Sequence, residues 1–367
     1  MKPNIIVIYG GNSVEHEISI VTALQIKQNY TGRFNLVLCY LKDGNFYIND
    51  KLNHLKNYKN FKDKPIAFLA NKNYVFVRKR KLLFEAVWVI AHGQNCEDGT
   101  IASYFKTLNI PVISQSLIAS SIGQNKYISK KLTTVSSINS YLISKNDLKN
   151  NMKMIINKAN ELSYPVILKP NSLGSSVGVS VIHSHEELID KLEELFLLDE
   201  YVIMEKCLNN FIELNIAVLK YKDELLVSEI EKVSNNKVLT YNDKYVNENK
   251  SLNHSNKELP AKINKSLAKD IIDSAKNIYN DLMMSLVVRI DFLYDTTNEK
   301  LYFNEINNIP GSLAFYLFKF KDIDINHLVD MCIFEGLKQI ENENNKIHTY
   351  SNNILNDCIF TNVKFCK

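Results

Sequence analysis

The chain predicts an α/β unit at its N-terminus followed by α+β units. Three observations carry this. Strands alternate with helices over the first third, antiparallel hairpin patterns fill the rest, and 367 residues exceed what one compact core usually holds. "NIIVIYGG" reads as a strand closed by a glycine turn, and "NSVEHEISIVTALQIKQNY" as an amphipathic helix. "FNLVLCYL" and "AVWVIAHG" give two more strands, and "TIASYFKTL" a helix leading into strand "PVIS". That alternation argues for a parallel sheet covered on both faces. A second unit opens near "SLIASSIGQNKYISKKL", a helix with polar breaks, and continues to "YPVILKPNSLGSSVGVSVI", two strands joined by a Gly/Ser loop. The third unit contains "YVIMEKC", "ELNIAVLKYKDELLVSEIEKV" and "SLVVRIDFLYDTTNEKLYFNEIN" as antiparallel strands, with helix "INKSLAKDIIDSAKNIYNDL" between them.

Bulk numbers exclude several classes. Hydrophobic residues at 46% and charged residues at 23% are ordinary for a soluble globular protein. The 44 basic and 40 acidic residues are well mixed, and the net charge of +4 does not suggest a nucleic-acid binder. The one dense basic cluster, Arg78 to Lys81, lies between two apolar runs and reads as a solvated hairpin tip. The cysteines (Cys39, Cys96, Cys207, Cys332, Cys358, Cys366) show neither CxxC pairing nor metal-ligand spacing. With only a short apolar run at the N-terminus, they suggest reduced thiols in a cytoplasmic protein without a membrane span. The tail after about Glu341 is polar and Asn-rich, and no role is read from it.

Chemistry concentrates in two stretches. In "VVRIDFLYDTTNEKLYFNEIN", Arg289 and Asp291 share one face of the first strand, and Glu305 and Asn307 one face of the second. The turn allows a register that sets Asp291 opposite the Glu305/Asn307 pair. Two carboxylates and an amide oxygen form a hard, all-oxygen site of the kind Mg²⁺ takes, with substrate phosphates completing the octahedron. A solvated edge strand is the plain alternative. In "KPNSLGSSVGVSV", Gly174, Ser175, Ser176 and Gly178 form a small-residue loop whose backbone N–H groups can approach phosphate. No GK[ST] follows, so it is not a Walker A loop. Lys169 and Lys126 are candidate phosphate contacts or ordinary surface lysines.

The order of these pieces resembles the ATP-grasp ligases, and within them the D-alanine–D-alanine ligase family. "YGGNSVEHEISIVTA" resembles the family's G-G-x-S-x-E-x-x-[IV]-S signature, "HGQNCEDGTIASYFKTLNIPVI" its H-G-x-x-G-E-D-G segment, and "NEINNIPGS" its N-E-x-N-T-x-P-G segment. The resemblance implies an ATP-grasp fold with an N-terminal parallel-sheet domain. Residues 1–120 would form that substrate-binding domain, 121–204 the central subdomain, 205–345 the C-terminal subdomain with its lid loop, and 346–367 a tail.

The same resemblance implies the site residues. Asp291, Glu305 and Asn307 would bind two Mg²⁺ ions, with Mn²⁺ able to substitute. Lys126, Lys169 and Lys244 would contact ATP phosphates, joined by Ser176. Glu205 and Lys206 would hold the adenine side and Glu213 the ribose. Glu15 would bind the ammonium of the first D-alanine, with His92 near its carboxylate. Their plain alternatives are a helix-start carboxylate and a satisfied polar residue at a strand end. Ser175 and Tyr245 would close a hydrogen-bonded network with Glu15, and "TYNDKYVNENK" would be the lid. Arg289, with the Gly311 backbone N–H, would clamp the oxyanion.

The activity that the resemblance implies is ATP-dependent joining of two D-alanines through an acyl phosphate, for peptidoglycan precursors. A D-serine or D-lactate acceptor is the neighbouring alternative, and an ATP-binding protein without turnover the distant one. The implied partners are D-alanine, ATP and a second copy in a homodimer, with no nucleic acid and no membrane. The chain also departs from the pattern. Cys96 stands where a small residue is usual, "NNFIELN" is one residue longer than the common form, and Asn308 replaces threonine. "GSLAFYLFKF" replaces the G-x-T-x-x-S-L segment whose serine and leucine hold the second substrate's carboxylate, which puts Tyr316 and Leu317 in that place.

Overall fold

The computed structural model describes residues 2–59, 61–233 and 257–347. The expected lid, with Lys244 and Tyr245, and the tail from residue 348 lie outside the described residues.

The N-terminal apolar runs form one five-stranded sheet, in the order Asn45–Tyr47, Asn35–Lys42, Asn4–Gly10, Ala86–Val89, Val112–Ile113. All pairs are parallel except the first, a short hairpin. Ile5, Ile6, Val7 and Ile8 are all fully buried, because helices and the following domain cover both faces. A sheet buried on both sides needs continuous apolar strands, and the sequence supplies them.

The first helix, His16–Asn29, departs from the amphipathic expectation. It exposes one stripe, Glu17, Val21, Gln25 and Gln28, but the buried Ser19 and Thr22 beside Ile20, Ala23, Leu24 and Ile26, and the exposed Val21, blur the polar–apolar division. The reason is its position: it packs on the Asn4–Gly10 strand and also on the later Gly311–Lys321 segment. The basic cluster is the hairpin tip expected, with strands Tyr74–Val77 and Arg80–Leu83 paired around it. Arg78 and Lys79 turn the chain at φ of 47° and 67°, the backbone that a two-residue hairpin turn demands.

"SLIASSIGQNKYISKKL" folds as two helices, Leu117–Gln124 and Lys126–Leu132. Asn125 separates them, because its side chain accepts from the Ile128 backbone N–H and caps the second helix. Two antiparallel sheets follow. The first runs Ser180–Ile182, Val166–Pro170, Tyr201–Lys206, Ser140–Ser144. The second runs Lys257–Glu258, Glu231–Val233, Phe211–Tyr221, Val288–Asp295, Lys300–Asn307, with Glu224–Val227 paired to the end of Phe211–Tyr221. Helix Lys265–Asp281 covers the second sheet with Leu267, Ile271, Ala275 and Ile278, spaced by four, four and three. Each buried leucine or isoleucine there contributes about 1.5–3 kcal/mol relative to exposure. This packing holds the strands that carry the candidate metal residues against a rigid backing.

Candidate active site

The hairpin has the register expected from its sequence. Asp291 pairs with Glu305 and Arg289 with Asn307. Asp291 is buried, and its carboxylate receives three hydrogen bonds. Arg289 Nε donates to Oδ1 at 2.7 Å and Nη2 to Oδ2 at 2.8 Å, while Asn307 Nδ2 donates to Oδ2 at 3.1 Å. Glu305, directly opposite, meets Lys126 Nζ at 3.4 Å. Two carboxylates opposed across a ladder repel each other, so the pair calls for cations. The donor set fits a hard divalent ion, since Asp291 and Glu305 are anionic oxygens. Turning the Asn307 amide would present its oxygen to the same spot.

The register also shifts. Phe292 pairs with Phe303, which leaves Asn304 as an extra residue in a β-bulge. Strand alternation predicts Asn304 on the face opposite Glu305, yet both line the same cleft, and Asn304 Oδ1 accepts from Lys169 Nζ at 3.2 Å. Period-two sequence reasoning missed it.

Two clefts meet at this hairpin. The first, about 790 Å³ counting space open to solvent, lies between the two antiparallel sheets. Ile138, Ile167, Leu208, Phe211 and Leu293 form its apolar walls, which suit a flat aromatic base. Its polar groups are Lys126, Lys169, Ser176, Glu205, Glu213, Asn304 and Glu305. Glu205 is fully buried between Lys130 and Lys169, accepting from the second at 2.7 Å. Burial pushes its pKa up, but the two lysines outweigh that and hold it below the usual carboxylate range.

The second cleft, about 750 Å³ on the same measure, lies beside the N-terminal domain, and Lys126 and Glu305 line both. Glu15, His92, Gln124, Ser175, Arg289 and Gly311 face it. Ser175 Oγ donates to Glu15 Oε1, whereas Glu15 Oε2 and both ring nitrogens of His92 are buried with no partner among the described residues. These orphaned groups want a ligand carrying its own donors and acceptors. Burial raises Glu15 above the ordinary carboxylate range, against the Ser175 hydrogen bond and Lys126. Burial also lowers His92 to about 4, so at neutral pH it offers one donor and one acceptor. The Gly/Ser loop spans the junction: Gly174 and Ser175 face the second cleft, and Ser176 and Val177 the first. Ser175 and Ser176 sit at φ of 55° and 57°, a left-handed bend that turns neighbouring hydroxyls to different sides. A Cβ on Gly174 would lie 2.8 Å from the Glu15 carboxylate, which is why the loop needs glycine there.

Glu97 is a second residue the sequence reasoning passed over, although it lies within "HGQNCEDG". Its carboxylate accepts from the backbone N–H of Gly93 at 3.1 Å and of Ile309 at 3.2 Å, tying the His92 loop to the loop before Gly311. Burial and the neighbouring Glu15 raise its pKa.

Four expected residues do not line these clefts. Asp291 is buried behind Arg289 and Asn307, which line the second cleft and hold its carboxylate. Lys206 follows Glu205 on a strand and so points to the opposite side, into a hollow shared with Asp295 and Lys300. The Tyr316 hydroxyl donates to the buried Glu231 carboxylate at 3.2 Å. Leu317 is fully buried in the hydrophobic core. Their segment is set by three successive left-handed residues, Ser312, Leu313 and Ala314, a geometry that sequence offset does not foretell. Lys244 and Tyr245 lie outside the described residues.

Comparison with known proteins gives a consistent picture. The family model described as D-ala D-ala ligase N-terminus matches residues 4–115, and D-ala D-ala ligase C-terminus matches residues 132–333. A D-alanine--D-alanine ligase of Campylobacter jejuni is 33% identical over 343 residues, covering 91% of this chain and 94% of that protein. Among solved structures, D-alanine-D-alanine ligase from Helicobacter pylori superposes with a TM-score of 0.73 at 29% identity, covering 91% of this chain and 99% of its own. VanG D-Ala:D-Ser ligase from Enterococcus faecalis superposes with a TM-score of 0.75 at 27% identity, covering 92% and 100%.

Proposed function

This chain belongs to the D-alanine–D-alanine ligase family, and with it to the ATP-dependent ligases, and we propose that it joins two molecules of D-alanine at the expense of ATP. The observation that carries the reading is the shared wall. Lys126 and Glu305 line both the cleft with apolar walls and lysines and the cleft with an orphaned carboxylate and imidazole. A γ-phosphate in the first and an amino-acid carboxylate in the second would meet there.

The chemistry is set by the residues. A carboxylate resists attack by an amine because oxide would have to leave. Transfer of the γ-phosphoryl group to it makes an acyl phosphate, and the amine of the second D-alanine then displaces phosphate. Glu15 Oε2 accepts from the first ammonium, and neutral His92 donates to its carboxylate. Lys126 and Lys169 hold the polyphosphate, with Ser176 beside it, and Glu205 and Glu213 face the nucleoside. Arg289, on the strand beside Asp291, and the Gly311 N–H take up charge on the tetrahedral oxygen. Asp291, Glu305 and Asn307 would hold Mg²⁺, or Mn²⁺ in its place, and the ion supplies neutralisation of phosphoryl charge when bound. Two ions per site and a homodimer belong to this proposal, as does exclusion of water by the segment containing Lys244 and Tyr245.

Phosphate release from ATP, measured with a panel of D-amino and D-hydroxy acids, tests the reading. D-alanine alone should support turnover, and D-alanyl-D-alanine should predominate when D-lactate or D-serine is also present at neutral pH. Predominance of the ester, or of D-alanyl-D-serine, would replace the acceptor assignment. No release with any of these acids would refute the ligase reading.

A further inference from the structure

Lys130 is fully buried on the helix Lys126–Leu132, one turn beyond Lys126, and lines neither cleft. Its ammonium is in contact with one oxygen of Glu205, and Lys169 takes the other. Lys169 in turn bonds Asn304, on the bulge beside Glu305. A fully buried carboxylate thus has two lysines, and of these two only Lys169 lines the nucleotide cleft. Burial depresses Lys130 while Lys169 is raised, although they share one carboxylate; both hold their protons at neutral pH.

We propose that Lys130 is a positioning residue for the nucleotide: it holds Glu205 from behind, so that Lys169 can leave that carboxylate for the polyphosphate. Removing one partner of a buried ion pair is costly because the remaining charge is stranded. With Lys130 in place, Glu205 keeps one cation at all times, and Lys169 moves without stranding it. Without Lys130, drawing Lys169 toward phosphates leaves a bare carboxylate in the core, so Lys169 stays. A lysine that merely stabilised the fold would affect every ligand alike. Lys130 instead discriminates between ligands with and without phosphates.

This rests on the nucleotide reading of the cleft, and the experiment separates the two. ADP and adenosine affinities are measured by calorimetry on the full chain with excess Mg²⁺, for wild type, Lys130→Met, Lys130→Arg, Glu205→Gln and the double variant Lys130→Met/Glu205→Gln. Lys130→Met should weaken ADP by about tenfold or more while adenosine changes by less than about threefold. Lys130→Arg keeps a cation behind Glu205 and should stay near wild type. The double variant has no carboxylate to strand, so its ADP affinity should return to that of Glu205→Gln alone. Equal losses for ADP and adenosine in Lys130→Met, or ADP affinity unchanged, would overturn the inference. If Lys130→Met does not fold, the double variant decides: ADP affinity matching Glu205→Gln supports the inference, and a further loss refutes it. Wild type that binds neither ligand would refute the nucleotide reading itself.

Discussion

Replacing Glu305 with glutamine separates stability from function, because the same carboxylate is a liability in one and a necessity in the other. Glu305 faces Asp291 directly across the ladder. Opposed side chains sit about 5 Å apart, and two charges at that distance repel by about 3 kcal/mol at an effective dielectric near 20. Against this stands the Lys126 ion pair at 3.4 Å, on a Glu305 side chain that is 26% exposed and therefore partly screened. Removing the charge abolishes both terms, together with its attraction for Lys169 and Lys130 and its repulsion of Glu15, so gains and losses offset one another. The folded state should change by no more than about 1 kcal/mol, a melting shift of about 2 °C for a chain of this size. Turnover should behave differently. A lost anionic ligand weakens the divalent ion that neutralises phosphoryl charge, and electrostatic contacts of this kind contribute about 2.7–4 kcal/mol, or about a hundredfold and more in rate. Phosphate release is therefore measured over a Mg²⁺ titration, beside a thermal melt. Wild-type release at limiting Mg²⁺ would refute the metal assignment, and a melt lowered by many degrees would show that the repulsion and the ion pair do not cancel.

Three further outcomes are expected. His92 is lowered to about 4 by burial, against about 6.5 unfolded, so between those pH values the unfolded chain binds the extra proton and stability falls on acidification; His92→Gln should flatten that slope by up to about 3 kcal/mol in denaturant melts. Gly174→Ala drives a methyl group toward the Glu15 carboxylate and should raise the KM for D-alanine about tenfold with little change in the KM for ATP, as steady-state kinetics would show. Tyr316→Phe removes the donor to Glu231 and should lower melting stability by about 1–3 kcal/mol; if instead only the KM for the second D-alanine rises, Tyr316 touches the acceptor directly.

How much was legible depends on how local each feature is. Side-chain alternation made it legible that Asp291 and the Glu305/Asn307 pair could meet across one hairpin, but the ladder that starts at Asp295 and Lys300 would set Asp291 opposite Asn304, and the bulge is what brings Glu305 there. The parallel sheet could be read because burial on both faces leaves continuous apolar runs. The bulge at Asn304 could not, since nothing in its own sequence marks which residue the ladder will skip. Glu97 and Lys130 acquire meaning only from partners far along the chain, Ile309 and Glu205, and in isolation resemble any loop acid or helix lysine. The turn of Tyr316 toward Glu231 was illegible for a different reason. Counting along the segment assumes a regular path, and the left-handed run at Ser312–Ala314 redirects it.

The charges at the junction explain why these residues come as a set. Lys126 is paired with Glu305, Lys169 with Glu205, and Arg289 with Asp291. Among the described residues, each of these three cations is already held by a carboxylate, which spares it the cost of lying buried and unpaired. A polyphosphate entering this arrangement must compete with Asp291, Glu305 and Glu205 for the same three cations. Competition of that kind favours binding only if the displaced carboxylates find new partners. Lys130 is placed to serve Glu205, and an oxygen-preferring divalent ion entering with the nucleotide serves Asp291 and Glu305. The buried pairs that hold the site together are thus the interactions that the nucleotide and its metal exchange, which ties the two ligands to one another before any bond is made.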